Sequence, residues 1–399
     1  MTASTKFPSR QNRRNPKCRC ESNKKQRGCE IIAIKFFDCF AGIGGFRSGL
    51  EQAGGFECVG FCEIDKYAAA AYKAIYYTEK EVYYDDVKRI DTEKMPDFDL
   101  FVGGFPCQSF SVSGAGRGFA DPRGALFFEL ARIIKDKRPS AFLLENVPRL
   151  ISHDENRTFQ TVIGTLSELG YCIEWMVHNS ACFGVPQTRK RVYIVGHRRP
   201  ERAGKIFPVE CGDCESPVEI IGGPQGSRVY SAEGTAITQC AGGSGGGAKT
   251  GIYFFDMNPD FDFTENARCL LARYDSGVSN HKGVNSGVFI ELDAASAGDF
   301  PGAVRFVDKN GVLRVGIMRK LLPLESWRLQ GFSDEQFNKA AALGISDGQL
   351  YKMAGNAVSV PVIKAIGERI RDVIFEKGDE GNAKRYYKPT ENVGGTEQD

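Results

Sequence analysis

The stretch Phe40-Ala41-Gly42-Ile43-Gly44-Gly45-Phe46 follows an apolar, β-rich run at residues 31–37 and precedes a helical pattern at residues 47–52. Glycines in such a turn let the backbone approach a ligand and open the N-terminus of a helix. Glu63 ends the next predicted strand, about 20 residues further on, where dinucleotide-binding folds place an acid on ribose hydroxyls. The pattern indicates a nucleoside-bearing ligand, although a tight turn between a strand and a helix explains it nearly as well.

Strand-length apolar runs and helical patterns alternate onward from this turn. Predicted strands cover residues 56–62, 98–102, 141–144, 172–179 and 191–196, and predicted helices cover residues 67–77, 126–135 and 158–169. Such alternation predicts an α/β fold with a Rossmann-like, doubly wound, mostly parallel sheet. A sheet of this kind binds ligands at the carboxyl ends of its strands.

Composition divides the chain into five predicted parts. Residues 1–30 form a basic, disordered head with nine Lys and Arg against two Glu, and residues 31–205 form the α/β domain. Residues 206–318 lose the alternation and hold ten glycines between positions 222 and 251, which predicts a smaller domain of strands and loops. Residues 319–377 return to the first domain and end in a helix, and residues 378–399 form a second disordered tail.

Several classes of protein are excluded by the totals. No stretch approaches the ~20 apolar residues that a membrane span needs. Thirteen scattered cysteines argue against a disulfide scaffold and for a reducing compartment. Cys211 and Cys214 lack a second nearby pair, so no metal is expected. The formal net charge of +2 neither favours nor excludes a nucleic-acid partner.

Three further motifs bring reactive or charged side chains to the ends of predicted strands. Cys107 lies in Gly103-Gly104-Phe105-Pro106-Cys107-Gln108 and is a candidate nucleophile, although a lone cysteine is most often a small buried apolar residue. Glu145 ends an apolar strand, where an acid is costly unless it binds a ligand or a partner. Arg189 and Arg191 are two residues apart and therefore share one face of a strand. They belong to a run of seven Lys and Arg against one Glu at residues 187–205, a pattern that is usually a solvated surface.

Together the motifs closely resemble, in order, those of the bacterial-type DNA cytosine-5 methyltransferase family. They read F-A-G-I-G-G, G-F-P-C-Q-S-F, E-N-V, Q-T-R-K-R, Arg319-Lys320-Leu321-Leu322-Pro323-Leu324-Glu325 and Ala354-Gly355-Asn356-Ala357-Val358. The spacing is similar to that of the compact type II enzymes of restriction–modification systems. The resemblance places residues 206–318 in the position of the family's target-recognition domain.

The resemblance implies transfer of a methyl group from S-adenosyl-L-methionine to carbon 5 of a cytosine in duplex DNA (EC 2.1.1.37). Cys107 matches the nucleophile that adds to carbon 6, and Glu145 matches the residue that supplies or shares a proton at ring nitrogen 3. Arg191 matches the arginine at the carbonyl of the base, with Arg189 supporting it. Because stacking covers the target carbon, the base must be flipped out of the duplex.

The cofactor site implied by the resemblance lies at the glycine turn and the neighbouring strand ends, without a metal. Glu63 would bind the ribose, Asp86 would lie near the adenine, and Asn356 and Val358 would close the pocket. The full predicted set is Phe40, Gly42, Gly44, Gly45, Glu63, Ile64, Asp86, Val87, Pro106, Asn356 and Val358.

Double-stranded DNA is the expected partner. Ser113 and Gln225 match positions that fill the space left by the flipped base, and Arg228 matches a guanine-reading arginine. Departures at Cys240 and Gly242 prevent the transfer of a recognition sequence from relatives. We expect a monomer without membrane contact in the cytoplasm of a bacterial or phage-infected cell, or in the nucleus of a eukaryotic one. A cognate restriction endonuclease would be a functional rather than a physical partner.

Alternative functions also fit parts of the pattern. A tRNA cytosine-5 methyltransferase shares the fold, but the C-F-T motif typical of those enzymes is absent from the sequence. A catalytically silent DNA-binding regulator would not need Cys107, Glu145 and Arg191. A nicotinamide oxidoreductase is less well supported, because the spacing after Gly45 departs from G-x-G-x-x-G.

Overall fold

The computed structural model describes eleven segments of the chain. They are residues 29–31, 33–106, 126–209, 219–221, 229–230, 252–256, 263–264, 286–292, 303–307, 313–375 and 387–389. The chain divides into two compact units, one of Met1–Ile32 with Glu380–Asp399 and the other of Ala33–Asp379. Cys107, Ser113, Gln225 and Arg228, all predicted site residues, lie outside the described residues.

The strands are β1 Cys29–Ile31, β2 Ile34–Cys39, β3 Phe56–Cys62, β4 Val82–Tyr84, β5 Leu100–Gly104, β6 Ala141–Asn146, β7 Cys172–Asn179, β8 Lys190–His197, β9 Glu219–Ile221, β10 Val229–Tyr230, β11 Ile252–Asp256, β12 Phe263–Thr264, β13 Ser286–Glu291, β14 Ala303–Val307, β15 Leu313–Lys320 and β16 Tyr387–Pro389. The helices are α1 Gly45–Ala53, α2 Lys66–Ile75, α3 Leu126–Lys137, α4 Arg149–Ser152, α5 Arg157–Glu168, α6 Pro323–Leu329, α7 Asp334–Ala341, α8 Asp347–Asn356 and α9 Val360–Ile370. A π-helical turn, Arg371–Phe375, continues α9.

A seven-stranded sheet with the order β4-β3-β2-β5-β6-β8-β7 forms the centre of the larger unit. The pairs from β4 to β6 are parallel, and β8 is antiparallel to both of its neighbours. The chain runs outward from β2 to β4 and then returns to β5 on the other side of β2. This reversal makes the carboxyl ends of β2 and β5 the place where a doubly wound sheet binds its ligand.

Helices cover both faces of this sheet. On one face, Phe127 of α3 and Phe159 of α5 belong to one buried apolar cluster. On the other face, Phe46 of α1 and Val362 of α9 pack in a second cluster with Phe36 of β2. Helix α9 therefore brings the last part of this unit back onto the first strands.

The antiparallel direction of β8 corrects the interpretation of the basic run at residues 187–205. Lys190 and Arg191 begin the strand at the carboxyl edge of the parallel strands, whereas Arg198 follows its end. Eight residues of strand span roughly 27 Å. The run therefore does not form one basic patch, because the sheet separates its two halves to opposite edges.

The region predicted to be rich in strands contains a second sheet. Five antiparallel strands lie in the order β12-β11-β13-β15-β14, and β9 pairs with β10. The last of these in the chain, β15, ends at Lys320, two residues beyond the predicted domain boundary. The five-part division itself stays a prediction.

The smaller unit is described at six residues. Cys29–Ile31 and Tyr387–Pro389 form an antiparallel pair within segments whose composition predicts disorder. The remainder of both predicted tails lies outside the described residues. Across the described residues, none of the helices is long and apolar enough to cross a membrane.

Candidate active site

The glycine turn joins β2 to α1 with a backbone that few residue types can adopt. Phe40 has φ of 56° and Gly44 has φ of 81°, both in the left-handed region. The Gly44 N–H donates to the Ala41 carbonyl at 2.8 Å and closes the turn. A Cβ on Gly44 would lie 2.4 Å from the ring of Tyr76, so the position excludes every side chain.

Glu63 lies directly after β3 and fixes the turn from the neighbouring strand. Its Oε2 accepts from the Gly42 N–H at 2.7 Å, and its Oε1 accepts from the Asp65 N–H at 2.7 Å. Burial raises the pKa of Glu63, and the two amide donors oppose that shift. Each carboxylate oxygen can accept more than one hydrogen bond, so Glu63 keeps capacity for ligand hydroxyls.

The surroundings of Glu63 fit a nucleoside. Ile64 is 74% exposed, an unusual state for a large apolar side chain at the end of a core strand. Asp86 caps the short helical turn Val87–Arg89 by accepting from the Lys88 N–H at 3.0 Å. An added Cβ at Gly42 would meet no atom within 4 Å, so the turn borders open space. The residues present therefore fit the nucleoside part of S-adenosyl-L-methionine, and the places of Ile64 and Asp86 in its site stay predictions.

Gly104, at the end of β5, is the point where the other predicted residues converge. A Cβ there would lie 3.2 Å from Glu145 Oε2 and 4.0 Å from Val358 Cγ1. Val358 also packs on the glycine turn, because a Cβ on Gly45 would lie 2.7 Å from its Cγ2. Asn356 is exposed at the end of α8. The cofactor turn, the predicted proton donor and the returning segment thus meet at one strand end.

Glu145 and Arg191 form an ion pair beside this point. The Glu145 residue is 8% exposed, and its Oε1 lies 2.9 Å from Arg191 Nε. Glu145 is opposite Tyr193 in the β6–β8 register, so Arg191, two residues earlier, shares its face of the sheet. The pair therefore holds a carboxylate and a guanidinium side by side at the end of β6.

Arg189 contacts a different part of the molecule. Its residue is 3% exposed, and its Nη2 donates to the carbonyls of Gly355 and Ala357 at 3.1 and 2.8 Å. These carbonyls flank Asn356 and precede Val358. The described contacts of Arg189 therefore hold the segment that is predicted to close the cofactor pocket, and support for Arg191 at the base stays a prediction.

Pro106 is half-buried and is the last described residue before Cys107. The preceding carbonyl, that of Phe105, accepts from Asn146 Nδ2 at 3.2 Å. Asn146 is 1% exposed and also accepts from the Val147 N–H at 2.8 Å through its Oδ1. The end of β6 thus anchors the backbone immediately before the predicted nucleophile.

Comparison with protein families identifies the chain. The sequence model described as "C-5 cytosine-specific DNA methylase" matches residues 34–228 and 280–372, which include Cys107, Glu145 and Arg191. The chain belongs to this methylase family. It is a DNA cytosine-5-methyltransferase, and the predicted family and enzyme class are confirmed.

Curated relatives of the methylase cover most of the chain. It is 36% identical to the type II methyltransferase M1.ScrFI of Lactococcus lactis subsp. cremoris, over 85% of this chain and 78% of the relative. It is 35% identical to the type II methyltransferase M.NlaX of Neisseria lactamica, over 87% of this chain and 99% of the relative. A phage protein, the orphan methyltransferase M.SPRI of Bacillus phage SPR, is 31% identical over 87% of this chain and 99% of the relative.

Solved structures confirm the predicted fold. The S. pombe Dnmt2 methyltransferase aligns with a TM-score of 0.58 and 16% identity, over 86% of this chain and 100% of that one. The Entamoeba histolytica methyltransferase EhMeth aligns with a TM-score of 0.56 and 20% identity, over 86% of this chain and 99% of that one.

Two amide side chains of the methylase site were missed by the sequence analysis. Asn146 anchors the Phe105 carbonyl, and Gln187, with no exposed surface, donates from Nε2 to the Leu329 carbonyl at 2.8 Å. Asn146 directly follows Glu145 in the E-N-V motif, and Gln187 begins the Q-T-R-K-R motif two residues before Arg189. Their position within these motifs was the available signal, since an uncharged amide gives no other sign of function. Among the described residues, no cluster of three or more His, Cys, Asp or Glu could hold a metal.

Proposed function

We propose that the methylase modifies cytosines in a specific duplex DNA sequence through a covalent adduct with Cys107. The observation that carries this proposal is the Glu145–Arg191 pair, which lies across Gly104 from the glycine turn. A proton-holding group and a cofactor turn at one strand end are what methyl transfer to a flipped base requires.

S-adenosyl-L-methionine would supply an electrophilic methyl group at this edge of the sheet. The glycine turn, with Phe40, Gly42, Gly44 and Gly45, would hold it together with Glu63, Ile64, Asp86, Val87, Pro106, Asn356 and Val358. Burial and the two amide donors keep the Glu63 carboxyl oriented toward the turn.

The chain's own residues would activate the cytosine. Addition of the Cys107 thiolate to carbon 6 would make carbon 5 nucleophilic, and a proton shared by Glu145 at ring nitrogen 3 would relieve the charge that develops. After carbon 5 has gained the methyl group, loss of its proton to solvent and cleavage of the carbon 6–sulfur bond would restore the ring and release the Cys107 thiolate. Arg191 would hold Glu145 through its Nε and place the rest of its guanidinium toward the carbonyl oxygen of the base. Arg189 would fix the closing segment at Gly355 and Ala357.

The nucleophile is tested by Cys107→Ala and Cys107→Ser. Both variants should lose methyl transfer to DNA while retaining DNA affinity within a few-fold. Transfer of labelled methyl from S-adenosyl-L-methionine and gel-shift titration measure the two quantities. Methyl transfer at the wild-type rate in either variant would refute the covalent mechanism.

We propose that its biological role is that of a modification enzyme, because curated relatives are named type II methyltransferases. Ser113, Gln225 and Arg228 are proposed to contact DNA around the flipped base. Bisulfite sequencing of a plasmid from cells that express the protein would give the methylated context. Unmodified duplex DNA should accept labelled methyl and bulk tRNA should not, whereas the reverse result would favour a tRNA methyltransferase. We propose that the protein is a monomer and that it lies in the cytoplasm. Light scattering of the purified protein tests the monomeric state.

A further inference from the structure

A chain of hydrogen bonds ends at the glycine turn, on the carbonyl of Gly44. Gln336 Nε2 of α7 donates to Ser48 Oγ of α1 at 2.6 Å. Ser48 Oγ lies 2.6 Å from Tyr76 Oη, and Tyr76 Oη donates to the Gly44 carbonyl at 2.8 Å. A phenol has one proton, so the donation to Gly44 makes Tyr76 the acceptor from Ser48, and the chain has one direction.

The ring of Tyr76 is fixed as firmly as its hydroxyl. The residue is 8% exposed, and the guanidinium carbon of Arg47 lies 4.3 Å from the ring centroid. Arg47 is itself held by Glu51 at 2.7 Å and by Glu81 at 2.8 Å. The ring also occupies the space that a side chain on Gly44 would need. Tyr76 and Gly44 therefore fit each other both sterically and through the hydrogen bond.

The Gly44 carbonyl determines the direction of the first amide of α1, that of Gly45. Gly44 is the N-cap of α1, has no side-chain cap, and its carbonyl accepts from the Ser48 N–H at 2.8 Å as well as from Tyr76. The peptide unit is planar, so fixing the Gly44 carbonyl also fixes the Gly45 N–H, which points the opposite way. That amide is one of the unpaired donors at the start of a helix.

We propose that Tyr76 is a positioning residue for S-adenosyl-L-methionine, acting through the peptide between Gly44 and Gly45. The inference rests on the proposed function, which places the methyl donor at the glycine turn. Tyr76 does not touch the donor in this account. It holds the turn in the conformation that binds the donor, and Ser48 and Gln336 orient its hydroxyl.

The test compares two buried phenols that each donate to a backbone carbonyl. Tyr171, 5% exposed, donates to the Pro139 carbonyl at 2.7 Å, before the start of β6 and at the opposite edge of the sheet from the glycine turn. Tyr76→Phe and Tyr171→Phe each remove one such bond, and Tyr76→Phe also removes the acceptor of Ser48 and Gln336, so its melting temperature should fall at least as far as that of Tyr171→Phe. Tyr76→Phe alone should raise the Kd for S-adenosyl-L-methionine, measured by titration calorimetry, roughly three- to ten-fold.

Kinetics separate positioning from a general loss of structure. In Tyr76→Phe the KM for S-adenosyl-L-methionine should rise with its Kd, whereas kcat and the KM for DNA stay at wild-type values. Ser48→Ala removes the shorter of two donors to Tyr76 Oη, leaves Gln336 Nε2 at 3.3 Å and keeps a good helix former, so it should raise the same Kd by a smaller factor. If Tyr76→Phe fails to fold, the Kd of Ser48→Ala for S-adenosyl-L-methionine tests the proposal in its place.

Three results would overturn the inference. The first is a wild-type Kd in Tyr76→Phe or, if that variant does not fold, in Ser48→Ala. The second is an equal rise in Kd in Tyr171→Phe, which would make the effect one of stability. The third is folded wild-type protein that does not bind S-adenosyl-L-methionine, which would refute the proposed function and this inference together.

Discussion

Two buried glutamates flank β8 near its opposite ends, and their partners differ. The side chain of Glu145 is 11% exposed and pairs with Arg191, while that of Glu174 is 10% exposed and lies 3.3 Å from His197. Glu174 also accepts three backbone N–H groups, from Gly204 at 3.0 Å, Ile206 at 3.0 Å and Phe207 at 3.1 Å. Among the described residues, Arg191 is the one polar partner recorded for Glu145.

The difference is the one expected between a structural acid and the reactive acid that Glu145 is proposed to be. A carboxylate that accepts three backbone N–H groups and an imidazole has little capacity left for a ligand, and it ties the loop after β8 to the edge strand β7. The Glu145 side chain is as little exposed but has unused acceptor capacity, and it lies beside Gly104, near the glycine turn that is proposed to bind the cofactor. For these two glutamates, the number of hydrogen-bond donors around the carboxylate is therefore a better guide to function than its exposed fraction.

The largest expected effect is that of Glu145→Gln on activity. The amide keeps the size of the side chain but cannot give a proton to the base, so kcat should fall by about 10²- to 10⁴-fold. The melting temperature and the Kd for S-adenosyl-L-methionine should stay close to wild type. Labelled methyl transfer, thermal unfolding and titration calorimetry measure the three, and a kcat within a factor of three of wild type would contradict the assignment.

The second effect is that of Glu174→Gln on stability. The substitution turns one acceptor into a donor that faces backbone N–H groups, so the free energy of unfolding should fall by about 2–3 kcal/mol. The specific rate of methyl transfer at a temperature where the variant is folded should be unchanged. Urea unfolding followed by fluorescence measures the first quantity. An activity loss as large as that of Glu145→Gln would make the two glutamates equivalent and remove the distinction.

Much of the fold follows from local patterns in the sequence. The bounds of β3 and β7 agree with the predicted strands at residues 56–62 and 172–179, because both are apolar runs of ordinary strand length. The three-residue β4 was missed, since so short an edge strand has no periodicity to detect. The direction of β8 was also missed. The ten residues at 180–189 between β7 and β8 are too few for the crossover that a parallel pair needs.

The site was predicted residue by residue, but its internal contacts were not. The convergence of Glu145, Gly104 and Val358 follows from motifs that each end or begin an element. The hydrogen bonds of Arg189 and Gln187 to the returning segment join residues 142 to 168 positions apart. Local sequence patterns give no information about contacts between residues so far apart in the chain. They therefore could not show that Arg189 contacts backbone carbonyls.

The third effect separates the two arginines at the start of β8. If Arg189 acts by holding the returning segment, Arg189→Lys should lower the free energy of unfolding by about 1–2 kcal/mol, because one ammonium cannot reproduce the fixed guanidinium geometry. Its kcat should stay within a few-fold of wild type, whereas Arg191→Lys should lose activity with little change in stability. Parallel unfolding and rate measurements decide between them. A kcat loss in Arg189→Lys equal to that in Arg191→Lys would place Arg189 at the base, as first predicted.

The smallest effect concerns His178 of β7, which is opposite Arg191 in the β7–β8 register. The residue is 6% exposed, its ring centroid lies 5.2 Å from that of Phe183, and its Nε2 has no hydrogen-bond partner among the described residues. Burial lowers the pKa of His178. The unfolded chain therefore takes up the proton first as the pH falls below the ordinary histidine value of about 6.5.

Protonation of the unfolded chain makes the stability depend on pH. Between about 6.5 and the lowered pKa of His178, the unfolded state binds more protons, so the free energy of unfolding falls with falling pH by at most about 1.4 kcal/mol per unit. His178→Leu should flatten this part of the profile between pH 7 and 5, as measured by urea unfolding. Met176→Leu, on the same face of β7, carries no ionisable change and should keep the wild-type slope. An unchanged slope in His178→Leu would show that the acid sensitivity comes from other groups. His178, opposite Arg191 at the start of β8, would then not make the stability depend on pH.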